Sequence, residues 1–384
     1  MNDKCPQKRT YLDWAATAIP HEYSGKCGPI FGNPSSQHSE GRAAREALEG
    51  ARCRCASVLG VKPEQLYFTS GGTESNTLVL NSLLKKKWKG HLLYSAIEHP
   101  SIRENCRALE KMGIPAGIIG AEKDGRITEA KMSGTLEKFP DARFITIMAV
   151  NNETGSIMDL KALSHVIKAK SNTPVHFHSD MVQALGKVPI DLTGWNIDSA
   201  SYSSHKLGGP FGIGLLYLKK PVEVLNSGGG QEGGIRPGTE NTSGALKLAD
   251  ILEMRAKPET VKAESEKARE RLKYLIGNLK KTKRCSLIPE DREEDDPRFS
   301  PWILQARISG IPGAVLTRAL DDEGVSVSTG SACSSSSVER PVLAAMGIDE
   351  AGRLEGIRIS QGWSTGFSDM DKFLSALEKV ISFL

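Results

Sequence analysis

Two residues of this 384-residue chain have the types and neighbours that covalent catalysis requires. Asp180 lies just after the apolar run Pro-Val-His-Phe-His, and Lys206 follows Ser-Ala-Ser-Tyr-Ser-Ser. A lysine can hold an aldehyde cofactor as an imine. A carboxylate can keep a pyridine nitrogen protonated, so that the ring draws electrons from a substrate α-carbon. Together they are what pyridoxal-phosphate (PLP) chemistry requires. Either residue alone is more often a solvated loop charge. Both at strand ends, with a candidate phosphate loop upstream, point to a cofactor site. That loop is Ser-Gly-Gly-Thr-Glu-Ser-Asn from Ser70 to Asn76, where backbone N–H groups opening a helix could cradle a phosphate. By itself it reads more readily as a glycine turn with Thr73 as a helix cap. It lacks the lysine of a Walker A loop, and the later His-Lys-Leu-Gly-Gly-Pro-Phe-Gly-Ile-Gly leads into a strand-like run, unlike a dinucleotide fingerprint.

The third reactive candidate is Cys333, within Ser-Thr-Gly-Ser-Ala-Cys-Ser-Ser-Ser-Ser. A structural cysteine normally sits among apolar neighbours. This one has small polar neighbours, the composition of an exposed loop, so a reactive thiol competes with a structural one from the residues alone. The only close pair of cysteines, Cys53 and Cys55, falls in a helical stretch where residues two apart point to different faces, which argues against a shared metal.

These residues need a scaffold. Apolar residues recur at helical spacing from Ser39 to Leu59, with Gly60 as the stop. Short β-rich runs then alternate with helical stretches: Gln-Leu-Tyr-Phe-Thr, a helix beginning in Thr-Glu-Ser-Asn, His-Leu-Leu-Tyr-Ser, a helix from Pro100 to a stop at Gly113, Arg-Phe-Ile-Thr-Ile-Met-Ala-Val and Pro-Val-His-Phe-His. Further strands are expected at Asp-Ser-Ala-Ser-Tyr-Ser and Gly-Ile-Gly-Leu-Leu-Tyr-Leu. The alternation predicts an α/β domain around a mainly parallel sheet. A charged helix over 258–276 and the acidic run Glu-Asp-Arg-Glu-Glu-Asp-Asp mark a boundary. Beyond it, helices near 314–320 and 370–384 predict a smaller α+β unit. The expected division is a large domain over 15–258 and a small one built from 1–14 and 259–384.

Composition narrows the function classes. Fifty basic and 46 acidic residues, a formal charge of +4, are spread along the chain, implying neither a nucleic-acid nor a membrane surface. The opening Met-Asn-Asp-Lys-Cys-Pro-Gln-Lys lacks the apolar core of a signal peptide. No apolar run approaches a membrane span. Seven scattered cysteines are unlike a disulfide framework. A cytoplasmic protein is expected, with no metal site.

Eleven motifs in order carry a resemblance that covers nearly the whole chain: Tyr-Leu-Asp-Trp-Ala-Ala-Thr at Tyr11, Phe-Gly-Asn-Pro-Ser-Ser at Phe31, Thr-Ser-Gly-Gly-Thr-Glu-Ser-Asn at Thr69, Glu-His-Pro at Glu98, Val-Asn-Asn-Glu-Thr-Gly at Val150, His-Ser-Asp-Met-Val-Gln-Ala at His178, Ser-Ser-His-Lys at Ser203, Gly-Gly-Gly-Gln-Glu at Gly228, Arg-Pro-Gly-Thr-Glu-Asn at Arg236, Gly-Ser-Ala-Cys at Gly330 and Ile-Arg-Ile-Ser at Ile357. The chain resembles the cysteine desulfurases of the NifS/IscS type, PLP enzymes of the class V aminotransferase group, in the subgroup whose catalytic cysteine lies on a long loop. The resemblance implies fold type I of the PLP-dependent transferases. It implies that Lys206 is the Schiff-base lysine, Asp180 pairs with the pyridine nitrogen, Gln183 hydrogen-bonds the ring hydroxyl and His99 stacks on the ring. Thr73, Ser203 and His205, with the backbone at Gly72, would hold the phosphate. Thr239 would reach the phosphate of a second subunit, which makes a homodimer. Asn152 and Arg358 would fix the substrate carboxylate, and His99 would shuttle a proton for the substrate thiol. Cys333 would take the sulfur of L-cysteine as a persulfide and leave alanine.

Gly72 and Met181 stand where the pattern has alanine, and the stretch 13–32 is a few residues short. Selenocysteine cleavage, transamination and a catalytically silent sulfur-trafficking scaffold are the alternatives. Cys333 speaks against simple transamination, and intact Lys206, Asp180 and Cys333 against the scaffold. The sulfur acceptor, whether an iron–sulfur scaffold, a tRNA-modifying protein or a thiol carrier, is not encoded in these motifs.

Overall fold

A computed structural model describes residues 9–22, 31–85, 88–330 and 340–384. Cys333 and much of the short stretch 13–32 lie outside them.

The chain opens with β1 (Thr10–Tyr11) and then α1 (Ser39–Leu59), which His38 caps by accepting from the Gly41 N–H and which Gly60 ends at φ 66°. That left-handed conformation suits a residue without Cβ. β2 (Leu66–Thr69), α2 (Gly72–Asn81), β3 (Leu92–Ser95), α3 (Pro100–Lys111), β4 (Ala116–Ile119), α4 (Glu129–Lys138), β5 (Phe144–Thr146), α5 (Leu160–Lys170), β6 (His176–Asp180), β7 (Ser199–Ser203), β8 (Gly214–Leu218) and α6 (Thr242–Arg255) complete the alternating part. Its strands form a seven-stranded sheet in the order β2-β8-β7-β6-β5-β3-β4. Only β8 runs against the rest, pairing antiparallel with both neighbours. The other pairings are parallel. The inner strands β3, β5, β7 and β8 are buried along their whole length, as expected where helices cover both faces of a sheet.

α7 (Pro258–Leu279) leads into β9 (Cys285–Ile288), β10 (Ile303–Ile308), α8 (Gly313–Asp322), β11 (Val325–Ser326), α9 (Pro341–Ala345), α10 (Glu350–Glu355), β12 (Gly356–Ser360) and α11 (Phe367–Phe383). An antiparallel sheet in the order β12-β10-β9 and the helices around it enclose a second apolar core, including Leu272, Leu304, Ile357 and Phe373. The N-terminus belongs to this core: β1 pairs with β11, Leu12 is fully buried in it and Asp13 bridges to Ser360. Hence the residue pair just ahead of Ala15 is tied to the last sheet while Ala15 and Ala16 reach the first.

Because β2, β3, β5, β6 and β7 all run the same way, their carboxyl ends share one edge of the large sheet. Open α/β sheets bind ligands at that edge.

Candidate active site

A cavity of about 230 Å³ lies there. Every candidate cofactor or substrate residue among the described ones except Thr239 lines it: Gly72, Thr73, His99, Asn152, Asp180, Gln183, Ser203, His205, Lys206 and Arg358. Thr239 is exposed and apart from the cavity. Gly330, three residues before Cys333, also lines the cavity.

Lys206 sits in a 3-10 turn directly after β7, and its Nζ donates to the carbonyls of Ala15 and Ala16 at 2.7 and 2.6 Å. Asp180 is the last residue of β6 and is 5% exposed. Its carboxylate accepts from the Val182 N–H at 3.0 Å and from Asn76 Nδ2 at 2.8 Å. Behind Asn76 runs a buried chain of hydrogen bonds. Because Nδ2 donates to Asp180, Oδ1 must accept, and it does so from His178 Nε2 at 3.0 Å. His178 Nδ1 then accepts from Ser199 Oγ at 2.8 Å, and Ser199 accepts from His176 Nε2 at 2.7 Å. All four links donate toward Asp180. Burial and the neighbouring His176 push the His178 pKa down to about 3, which preserves the neutral form this direction requires.

The second Asn76 Nδ2 hydrogen goes to Ser101 Oγ at 2.9 Å, so the Ser101 hydroxyl donates to His99 Nδ1, 2.8 Å away. The Ser101 backbone N–H donates to the same nitrogen at 3.1 Å. His99 is therefore both the N-cap of α3 and a cavity residue. With Nδ1 occupied as an acceptor, the neutral ring carries its proton on Nε2. Burial pulls its pKa down despite the nearby Asp180 carboxylate. The adjacent Glu98 is not a cavity residue. It accepts from Ser95 and the Met148 N–H, and burial raises its pKa to about 8.

On the other side, Arg358 in the middle of β12 is 2% exposed. It donates to the Asn152 carbonyl at 2.9 Å and to Asp13 Oδ1 at 2.7 Å, while its Nε is buried without a partner. Its backbone N–H donates to the Ser328 carbonyl at 2.6 Å, so the chain leading to Cys333 begins alongside the backbone of β12. His205 stacks on Phe211 with ring centroids 5.6 Å apart. Burial and the charges of Lys206 and Lys187 hold its pKa at about 4.

The donor set fits PLP. It offers an amine and a carboxylate in one cavity, hydroxyl and imidazole groups of Ser203 and His205, and the first turn of α2, whose N–H groups have no acceptor within the helix. The buried unpaired Arg358 Nε suits a substrate carboxylate. The unusual glycine also has a cause: a Cβ at Gly72 would stand 2.7 Å from Val182 Cγ2. Met181, fully buried, accepts the Tyr202 hydroxyl on its sulfur at 3.4 Å.

Sequence reasoning missed Ser101, His178 and Ser199 as a network, and Lys187, a buried lysine bonded to Gln183. One signal was available: His176, His178 and Asp180 are two apart on one strand and so share a face.

Comparisons with known proteins agree with this fold. The aminotransferase class-V family model matches residues 10–373. A protein described as a NifS/IcsS protein homolog from Lactobacillus delbrueckii subsp. bulgaricus is 36% identical over 93% of this chain and 92% of its own length. A cysteine desulfurase IscS from Dictyoglomus turgidum is 35% identical over 98% of this chain and 95% of its own. Among solved structures, a NifS-like protein superposes with a TM-score of 0.87 at 30% identity, covering 98% of this chain and all of that one. An α/β fold around a mostly parallel sheet, a lysine and carboxylate at its carboxyl edge and these relatives lead to one statement: the chain belongs to the aminotransferase class-V family.

Proposed function

We propose that this protein is a PLP-dependent cysteine desulfurase, which converts L-cysteine to L-alanine and takes the sulfur onto Cys333 as a persulfide for delivery to an acceptor. The observation that carries the reading is the convergence of Lys206, Asp180, Gln183, His99, Asn152 and Arg358 on one cavity that Gly330 also lines. Bound PLP supplies an electron sink for the substrate α-carbon.

The chain's own residues do the rest. Asp180, held by two N–H donors, would keep the pyridine nitrogen protonated. Lys206 would anchor the cofactor and, once displaced by substrate, take the α-proton on Nζ. Arg358 and Asn152 would bind the substrate carboxylate. His99 would offer its Nε2–H to the substrate thiol; taking up a further proton would require Nδ1 to give up its two donors from Ser101. The Cys333 thiolate would then attack the substrate sulfur. The S–S bond forms as the Cβ–S bond breaks, and the bonding pair left on carbon takes up protons to give alanine. Three residues of extended chain span at most about 10 Å, so Cys333 would be within reach of the cavity that Gly330 lines.

Three of the described cysteines, Cys55, Cys106 and Cys285, are poorer nucleophiles by environment. Burial raises Cys55 and Cys285 to a pKa of about 12 and Cys106 above the ordinary thiol range. A homodimer is part of the same proposal, supported by the exposure of Thr239. A reducing cytoplasm would suit a reaction that needs a free thiolate. The test is incubation with cysteine and, separately, selenocysteine. Alanine formed with sulfide in the presence of a thiol supports the reading. Activity confined to selenocysteine replaces it with a lyase.

A further inference from the structure

Lys187 is 2% exposed, and no step above uses it. Its backbone is clamped from two sides: its carbonyl accepts from Trp302 Nε1 at 2.9 Å and from Ser265 Oγ at 2.7 Å. From that fixed point the side chain reaches back to Gln183, where Nζ donates to Oε1 at 2.8 Å. Gln183 Nε2 donates in turn to the Ala15 carbonyl at 2.8 Å, an oxygen that also accepts from Lys206 Nζ. An amide can turn over and exchange donor for acceptor, but a protonated lysine has only donors to give. Its presence at Oε1 leaves Nε2 as the face turned to the Lys206 side of the cavity.

We propose that Lys187 is a positioning residue, which fixes the Gln183 amide so that Nε2 donates to the ring oxygen of bound PLP. The inference rests on the PLP reading given above. Packing alone would not require an ammonium there, because a methionine of similar length would fill the space without desolvating a charge. The charged groups acting on Lys187 are all cations, Lys206, Arg358 and Arg255. Burial first, and these cations second, bring its pKa down to about 7. A neutral amine retains N–H donors but gains an accepting lone pair, so it is the protonated form that enforces the direction of the contact.

The consequence is electronic. A donor at the ring oxygen stabilises its anion and lowers the proton affinity of the imine nitrogen beside it. The test is a pH titration of the absorbance of bound PLP near ~420 nm in the wild type, Lys187→Met, Gln183→Ala and the double variant. Lys187→Met should raise the proton affinity about tenfold, moving the midpoint to higher pH. Gln183→Ala should do the same, and the double variant should match Gln183→Ala alone, because Lys187 acts through Gln183. Lys187→Gln, which keeps an N–H donor, should recover at least half of the shift. A wild-type midpoint in Lys187→Met, or single shifts that add in the double variant, overturns the proposal. A lowered melting temperature with an unmoved midpoint does so as well, by making Lys187 structural only. If Lys187→Met does not fold, Lys187→Leu takes its place with the same outcomes. Absence of the band from the wild type would overturn the PLP reading itself, and this inference with it.

Discussion

The two walls of the cavity are held in different ways. The wall against the large sheet is built from side chains at strand ends and helix starts that bond one another: Asp180, Asn76, Ser101, His99 and His178 form one continuous buried network. The wall against the small sheet is assembled across the length of the chain, where Arg358 joins Asp13 and the Asn152 carbonyl. The first network sets the orientation of a carboxylate and an imidazole before any ligand arrives. The second leaves one buried guanidinium N–H unpaired, a donor whose partner has to come from outside. On the proposed function the cofactor's electronics would belong to one wall and substrate capture to the other, and variants in the two walls should fail differently.

The largest effect is expected from Lys206→Ala, which removes both anchor and base. Alanine formation should fall about a thousandfold or more, together with loss of the absorbance of bound PLP; turnover near the wild-type rate would dismantle the cofactor assignment. On the opposite wall, Arg358→Lys replaces two parallel donors with a point charge. The KM for cysteine should rise about tenfold while PLP absorbance is unchanged. Should Arg358→Lys release PLP instead, the division between the walls is wrong. Asn76→Ala takes one of the two donors from Asp180 and cuts the network. Fluorescence titration of the apoprotein should show PLP affinity about tenfold weaker, roughly the worth of one hydrogen bond to a charged group, and equal affinity would make the network ornamental.

A smaller effect concerns pH and stability. His178 and His205 stay neutral in the folded chain down to about pH 3 and 4, whereas in the unfolded chain they protonate near the ordinary histidine value of 6.5. Below that value the unfolded state binds more protons, so stability falls as pH drops, and it keeps falling until the folded pKa values are reached. His205→Asn should flatten the decline of unfolding free energy between pH 6.5 and 5, by at most about 1.4 kcal/mol per pH unit. An unchanged slope would place His205 in water, not in the wall.

Local signals made much of this readable. The helix from Ser39 to Leu59 had both its periodicity and its glycine stop in the sequence, and both stand in the structure. Lys206 and Asp180 were legible because so few residue pairs can do PLP chemistry, and the ordered motifs carried their neighbours to the same cavity. β4, at the sheet edge, was not legible, being four residues with an exposed isoleucine and no alternation to count. α6 was hidden for another reason: alanine and leucine on several faces, buried against α1, give no clean polar stripe. The network behind Asp180 joins Asn76 to His178, 102 residues apart, and no local pattern encodes such a meeting. Lys187 reads as an ordinary charge until its burial is seen.

The account stands on Cys333 receiving sulfur directly, and one measurement addresses that. Wild-type protein is treated with one equivalent of cysteine without reductant, and the peptide carrying Cys333 is weighed by mass spectrometry beside Cys333→Ser treated alike. The expected result is one extra sulfur atom on the wild-type peptide, removable by a thiol, while Cys333→Ser still binds PLP and cysteine but releases almost no alanine, since a serine hydroxyl cannot replace a thiolate at neutral pH. Alanine and free sulfide from Cys333→Ser at the wild-type rate would contradict it, because sulfur would then leave by elimination at the cofactor.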